Sequence, residues 1–318
     1  MSNAFVAPHF ASHEAARAWL ESLRWPEGPI CSHCGTINHA YRTKKPGWYR
    51  CAEKECRKDF TVTTGTVMER SHIPLNKWLM AFYMLNSSKK GVSAHQLHRA
   101  LGLDYKSAWF MCHRIREAMR VGGLGSLGGA DDNGEGGTVE VDETYYGKVE
   151  PSKRRATRAD GAPYKTGSRG PANKRPIVAL VERGGNVRTF HVASADQGTI
   201  GKIMFDNIAR EAKLYTDESR LYTAMGEYFG GHETVTHSRG EYVRGDVHTN
   251  TVENYFSVFK RGMRGVYQHC KEKHLHRYLA EFDHRYNHRV ALGYSDLDRT
   301  LAAIKGIEGK RLTYHQAH

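Results

Sequence analysis

No run of apolar residues in this 318-residue chain approaches the ~20 that a membrane-spanning helix needs. The opening stretch, MSNAFVAPHFASHEAARAWL, lacks both a basic leader and a long apolar core, so it does not read as a secretory signal. Cysteine is scarce: six in all, four of them clustered, which is not the composition of a secreted disulfide scaffold. The 19 histidines show no spacing of a zinc enzyme, and Cys112 and Cys270 read as buried thiols. Acid is the short side of the charge balance, with 34 Asp plus Glu against 47 Lys plus Arg. The expectation is a cytoplasmic protein without a membrane partner.

The surplus of +13 favours a polyanion, through counterion release at phosphates and long-range attraction. What is present upstream fits that partner. Residues 12 to 24 carry Ala, Trp and Leu at helical spacing behind a Ser12 cap. Cys31 and Cys34, then Cys51 and Cys56, form two pairs whose separation suits two knuckles closing on one tetrahedral Zn²⁺. Four thiolates fill the coordination sphere, so that zinc is structural. Residues 75 to 120 read as helical, with Ser93 and Asp104 as N-caps on either side of Gly102. The pattern is that of a helix-turn-helix whose second helix presents Tyr105, Lys106, Ser107, His113 and Arg114 to DNA. An ordinary helical hairpin with a solvated basic face fits the same pattern.

Residues 122 to 137, GGLGSLGGADDNGEGG, read as a flexible linker, and Asp131, Asp132 and Glu135 as solvated linker acids. The expected division is a helix and zinc ribbon over 1–70, a helix-turn-helix-like region over 71–121, the linker, and a second domain over 138–318. In that domain GTVEVDETYYG is a strand with Asp142 near its end, followed by a basic stretch from Lys153 to Arg175. That stretch, with Lys153, Arg154 and Arg155 at its start, would either track a DNA backbone or be a solvated loop. Two further strands form a hairpin, a helix spans about 199 to 212, and KLYTDES is a fourth strand ending at Asp217. Because a helix crosses over before it, this strand should return parallel to the first, setting Asp142 beside Asp217.

Glu253 lies in the first turn of a helix beginning near Asn250, with Lys260 seven residues on along the same face. Three carboxylates so placed are what a magnesium-dependent phosphoryl-transfer site requires. Glu253 also fits a capping box with Asn250 as cap. His248 and Asn250, at the start of the helix, would cap and orient it.

The motifs FTVTTGTVMERSHIPLNKW, GLDYKSAWFMCHRIREAM, VEVDETYYGK, HTNTVENYFSVFKRGMRGVY and LAEFDHRYNHR, with the CSHC knuckle, make the chain resemble insertion-sequence transposases of the ISXO type over most of residues 15 to 290. The resemblance implies an α/β, ribonuclease-H-like mixed sheet flanked by helices after a zinc ribbon. It implies Asp142, Asp217 and Glu253 as ligands of two Mg²⁺ or Mn²⁺ ions and Lys260 as the basic residue after the glutamate. Arg261 and Arg264, on the same segment, would be further DNA contacts. It further implies cleavage at element ends, strand transfer into double-stranded target DNA, and a dimer or larger homo-oligomer on DNA. A DNA-binding regulator, or a metal-dependent nuclease of the same fold, would share the upstream modules or the carboxylates.

Overall fold

The computed structural model describes residues 4–120, 122, 125–147, 174–219, 221–222 and 225–312. The chain forms two compact units, one of residues 1–121 with 294–318 and the other of residues 122–293. The last helix therefore belongs with the N-terminal unit, where the sequence had suggested one domain running from 138 to the end. Among the described residues no helix is long and apolar enough to cross a membrane.

In the first unit, α1 (His13–Arg24) starts at Ser12, whose hydroxyl accepts from the Ala15 amide at 3.1 Å, and buries Ala16 and Leu20 one turn apart. A three-stranded antiparallel sheet follows: β1 (Ala40–Arg42), β2 (Tyr49–Cys51) and β3 (Asp59–Phe60). Its cysteines and Phe60 share one core with α2 (Leu75–Ser87), which buries Trp78, Leu79, Phe82 and Leu85. α3 (Ala94–Leu101) opens with a reciprocal capping box between Ser93 and Gln96 and closes on Gly102, whose φ of 58° is left-handed. Two residues later Asp104 caps α4 (Tyr105–Met119) by accepting from the Lys106 and Ser107 amides. α3 and α4 thus form a helical pair, which fits the helix-turn-helix and the plain hairpin alike. α8 (Asp296–Lys305) completes the unit: Ala303 and Ile304 enter the core, and the Arg299 guanidinium donates to the Asn86 carbonyl at 2.7 Å.

The exposed face of α4 is shorter than the sequence suggested. Tyr105 and Lys106 are exposed and Ser107 half-exposed, but everything from Met111 to Arg116 is buried. His113 is 1 % exposed and Arg114 8 %. The Arg114 guanidinium donates to the Glu69 carbonyl at 2.6 Å and stacks on Trp78 and Phe110. Neither residue faces a nucleic acid. Arg114 buries because Trp78 of α2 and Phe110 of its own helix cover it, which hydrophobic periodicity does not register.

The second unit is built on a five-stranded sheet, in the order β6-β5-β4-β7-β8. β4 (Thr138–Tyr146), β5 (Arg175–Glu182) and β6 (Val187–His191) form an antiparallel meander. α5 (Gln197–Asn207) then crosses over, and β7 (Lys213–Asp217) returns parallel to β4, with β8 (Gly231–Val235) parallel to β7. This is the mixed sheet the resemblance implied. Ile208 extended and Ala212 buried end α5 at 207, short of the expected 212. A small hairpin of β9 (Val243–Arg244) and β10 (Val247–His248) precedes α6 (Asn250–Gly262), and α7 (Leu275–Asn287) follows.

Strand alternation sends β4 side chains to two separate cores. Val139 and Val141 meet α5, while α6 and α7 cover the opposite face through Phe256, Phe259 and Phe282 packed on Ile177, Ala179 and Val181. Glu140, Asp142 and Thr144 therefore point to the α6 side. So do Tyr215 and Asp217, since Leu214 packs with α5.

The glycine-rich segment is not a free linker from Leu127 onward. Leu127 is buried, donates to the Asn207 carbonyl at 2.8 Å and accepts from the Ala209 amide at 2.9 Å. A Cβ on Gly136 would come within 1.8 Å of the Glu211 carbonyl, and one on Gly128 within 2.7 Å of Val139 and Ala212. These glycines permit close backbone approach to the sheet edge. Asp131 closes a turn by accepting from the Asn133 and Glu135 amides, so its role is local.

Candidate active site

The parallel pairing of β4 with β7 sets Thr138 opposite Lys213, Val139 opposite Leu214 and Glu140 opposite Tyr215. Carried two residues further, this register puts Asp142 alongside Asp217, on the face that α6 covers. Asp142 is half-buried, and its carboxyl is held well above the usual range. Burial is the main cause; the charges of Glu143, Asp217 and Glu253 add to it, against a hydrogen bond from the Glu143 amide. All three acids are therefore electrostatic neighbours. Lys260 joins them: burial pushes its ammonium down, and the negative charge of Asp142 pulls it back up. Arg261 and Arg264 are exposed beyond it, where α6 passes into a wider π-helical turn.

Glu253 does not form the capping box that its spacing from Asn250 also allowed. The N-cap is Thr249, which makes no side-chain cap bond, and Glu253 stands exposed at the fourth helical position, accepting from the Thr249 hydroxyl at 3.0 Å. The amides at the start of α6 are instead capped by Glu140 from β4. Its carboxylate, 0 % exposed, accepts from the Thr251 amide at 2.8 Å, the Val252 amide at 3.0 Å and the Thr251 hydroxyl at 2.7 Å. Arg183 pairs with it at 2.7 Å and also donates to the carbonyls of Asp246 and His248 and to the His248 ring. The sequence reading passed over Glu140. The signal was there, in a glutamate on the same strand face as Asp142 and between two apolar residues that bury.

Glu143, the next acid along, points to the other face, where the fully buried Tyr222 hydroxyl donates to it. Burial raises the Glu143 carboxyl, with the Tyr222 bond opposing and Asp217 adding. Asn250 is the first residue of α6 and not its cap, and His248 braces Arg183 and Glu140. Lys153, Arg154, Arg155 and most of the basic stretch lie outside the described residues. Arg175, at its end, is 4 % exposed and donates to the Cys270 carbonyl at 2.8 Å, so it anchors β5 and does not face solvent.

In the first unit Cys31, Cys34, Cys51 and Cys56 converge. Among the described residues they are the group of metal-binding side chains whose ligand atoms all lie within 4.8 Å of one another. The Cys31–Cys56 and Cys34–Cys51 sulfurs are 3.7 and 3.6 Å apart. That is far from a disulfide bond and close to the ~3.8 Å edge of a tetrahedron with Zn–S bonds of ~2.3 Å. Hydroxyl and amide bonds from Thr36 hold the Cys34 thiol down to about 6, while burial pushes the Cys51 thiol up to about 12 and the Cys31 thiol up as well. The four cysteines fit one structural Zn²⁺. Among the described residues, Asp142, Asp217 and Glu253 do not form a group as close as the four cysteines.

Residues 135–287 match the family model described as an ISXO2-like transposase domain, and residues 11–59 that of a transposase zinc-ribbon domain. A protein of the transposable element ISH50 of Halobacterium salinarum is 30% identical over 268 residues, 81% of this chain and 86% of the relative. The chain belongs to the ISXO2-like transposase family. The transposase also resembles, distantly, two solved structures of Mos1: a strand transfer complex (TM-score 0.28) and a paired-end complex with the left transposon end (TM-score 0.27). Each is 11% identical, covering 71% of this chain and 74% of the other.

Proposed function

We propose that this transposase is a metal-dependent polynucleotidyl transferase that cuts DNA at the ends of its element and joins them to target DNA. The observation that carries the reading is the electrostatic convergence of Asp217 and Glu253 on Asp142, with Lys260 facing the same carboxylate. Asp142, Asp217 and Glu253 would hold two Mg²⁺ or Mn²⁺ ions, which when bound polarise the attacking and leaving oxygens of an in-line displacement. The chain's own part is positional. Asp142 comes from a central strand, Asp217 from its parallel neighbour and Glu253 from a helix fixed to that strand, so all three ligands stand on rigid elements. Lys260, two turns along α6, would meet a phosphate oxygen and offset its charge. Arg261 and Arg264 would extend that contact along the backbone.

The first step would add water to the end phosphodiester and release a 3′-hydroxyl; the second would add that hydroxyl to a target phosphodiester, releasing one target 3′-oxygen. Tyr105, Lys106 and Ser107, at the exposed start of α4, would meet double-stranded DNA, as would the zinc ribbon beside them in sequence. Bringing two ends together calls for a homodimer or larger, working in the cytoplasm on the nucleoid. The test is a strand-transfer assay with end-bearing oligonucleotides and Mg²⁺, with Asp142→Asn beside the parent. Joined products from the parent and none from Asp142→Asn, with end binding kept, are expected. Cut ends that never join would reduce the protein to a nuclease, and joining by Asp142→Asn would overturn the site.

A further inference from the structure

A carboxylate with no exposed surface is costly unless every lone pair finds a donor or a charge. Glu140 meets that demand in full, and its donors come from three elements that surround the proposed site. Two amides and a hydroxyl come from the first turn of α6, at Thr251 and Val252. A guanidinium comes from Arg183, just beyond the end of β5, at 2.7 Å. The His248 ring, at the end of β10, lies 3.4 Å away. Arg183 then binds the carbonyls of Asp246 and His248 and lies over the Tyr215 ring of β7 at 4.6 Å. One buried carboxylate thus joins β4, the β9–β10 hairpin and the start of α6.

We propose that Glu140 is a positioning residue, which sets where Glu253 stands relative to Asp142. The geometry leaves little slack. Glu140 and Asp142 are two apart on one strand, so their side chains rise from the same face ~7 Å apart. Glu253 follows Val252 directly, within the first turn that Glu140 caps. Thr249 does not cap these amides, its hydroxyl donating instead to the Glu253 carboxylate at 3.0 Å, so the cap on the Thr251 and Val252 amides comes from Glu140. The negative carboxylate also faces the positive end of the α6 dipole, which favours this docking over a slid or frayed one. Asp142 and Asp217 owe their alignment to strand register and would keep it without Glu140; Glu253 would not.

This inference rests on the proposed metal site, so its test separates the two. Full-length Glu140→Gln and Glu140→Ala are compared with the parent and with Asp142→Asn. The readouts are Mn²⁺ binding by calorimetry without DNA, exchange of the Thr251 and Val252 amides, and end cleavage at saturating DNA. Glutamine keeps an acceptor oxygen for the α6 amides while losing the charge that Arg183 meets, so it is the variant expected to fold. Glu140→Gln should weaken Mn²⁺ binding and slow cleavage by about 10-fold, the lower end of what losing a supporting partner of a ligand costs. Its KM for end DNA should be unchanged, and exchange at Thr251 and Val252 faster. If Glu140→Gln binds Mn²⁺ and cleaves like the parent while Asp142→Asn does neither, the inference is overturned and the metal site stands. If Asp142→Asn still binds Mn²⁺ and cleaves, the metal site falls and the inference with it.

Discussion

The Tyr222 hydroxyl, without any exposed surface, donates to the Glu143 carboxylate on the side of the sheet away from Asp142's face. This bond opposes the burial of an acid adjoining the proposed metal ligand, and burial has already raised that acid. Tyr222→Phe should lower stability by about 1.5–3 kcal/mol, the range for a hydrogen bond to a charged group. The loss should grow with pH. Without its donor the folded-state pKa of Glu143 rises further above the unfolded value, so more stability is lost as pH climbs through it. Urea unfolding of Tyr222→Phe and parent at several pH values checks this; an equal loss at every pH would contradict it.

Asp142 makes a related prediction for metal binding. Its folded-state pKa is raised, so the protein without ions holds a proton there that the unfolded chain would release, and stability falls as pH rises through that pKa. A divalent ion must displace the proton. Mn²⁺ binding should therefore release protons, weaken as pH falls, and restore the stability lost at high pH. Calorimetry in two buffers of different ionisation enthalpy measures the release directly. Identical heats in both buffers at every pH of a series would mean that Mn²⁺ displaces no proton from Asp142.

The legible parts of the chain were those set by local pattern. Cysteine spacing identified the ribbon, Ser93, Gly102 and Asp104 delimited α3 and α4, and the helix before KLYTDES implied the parallel strand that aligns Asp217 with Asp142. What local pattern missed was set by partners far away in sequence. Glu140 is defined by Thr251, 111 residues on, and Arg299 binds Asn86 across 213 residues. Gly128 and Gly136 looked flexible because composition records the missing side chain and not the Ala212 and Glu211 atoms pressed against it. His113 and Arg114 looked exposed because they are polar, yet both are buried, Arg114 against Trp78 of α2 and the Glu69 carbonyl.

That burial separates two kinds of basic residue on one helix. Lys106→Ala should weaken binding to DNA uniformly across sequences and reduce the salt slope by about one, as removing one phosphate contact does. Arg114→Ala should instead lower stability, by roughly 1–3 kcal/mol for the Glu69 carbonyl bond alone. Fluorescence-anisotropy titrations over a salt series, paired with thermal melts, distinguish the two. A melt of Arg114→Ala identical to the parent would contradict the buried placement.

The four-sulfur cluster predicts one zinc per chain. Cys31, Cys51 and Phe60 belong to the same core as Trp78 and Phe82, so loss of zinc should reach the helices and not only the ribbon. Chelation, or Cys34→Ser, should release the metal, expose buried Trp25 and Trp78 and lower the melting temperature of the first unit. Elemental analysis and tryptophan emission follow the two events. A zinc-free protein with parent-like emission and melting would refute the structural role.

Asp283 on α7 links three elements, accepting from the Thr189 amide and hydroxyl of β6 at 3.1 and 2.9 Å and from the Tyr255 hydroxyl of α6 at 2.6 Å. Burial pushes its carboxyl up to about 7 even though all these donors pull it down. The folded state therefore keeps a proton that the unfolded chain, at the ordinary carboxylate value of 3.8, has already lost. Stability from this group is fully present below the unfolded value and is lost as pH rises toward the folded one, on the order of 1 kcal/mol per pH unit inside the window. Asp283→Asn cannot ionise and should flatten that slope, while Tyr255→Phe, which removes a donor to the anion, should carry the slope on to higher pH. Unfolding midpoints of the three proteins at intervals between about pH 4 and about pH 8 decide the matter. Parallel profiles for parent and Asp283→Asn would show that the carboxyl is ionised throughout and that its donors outweigh its burial.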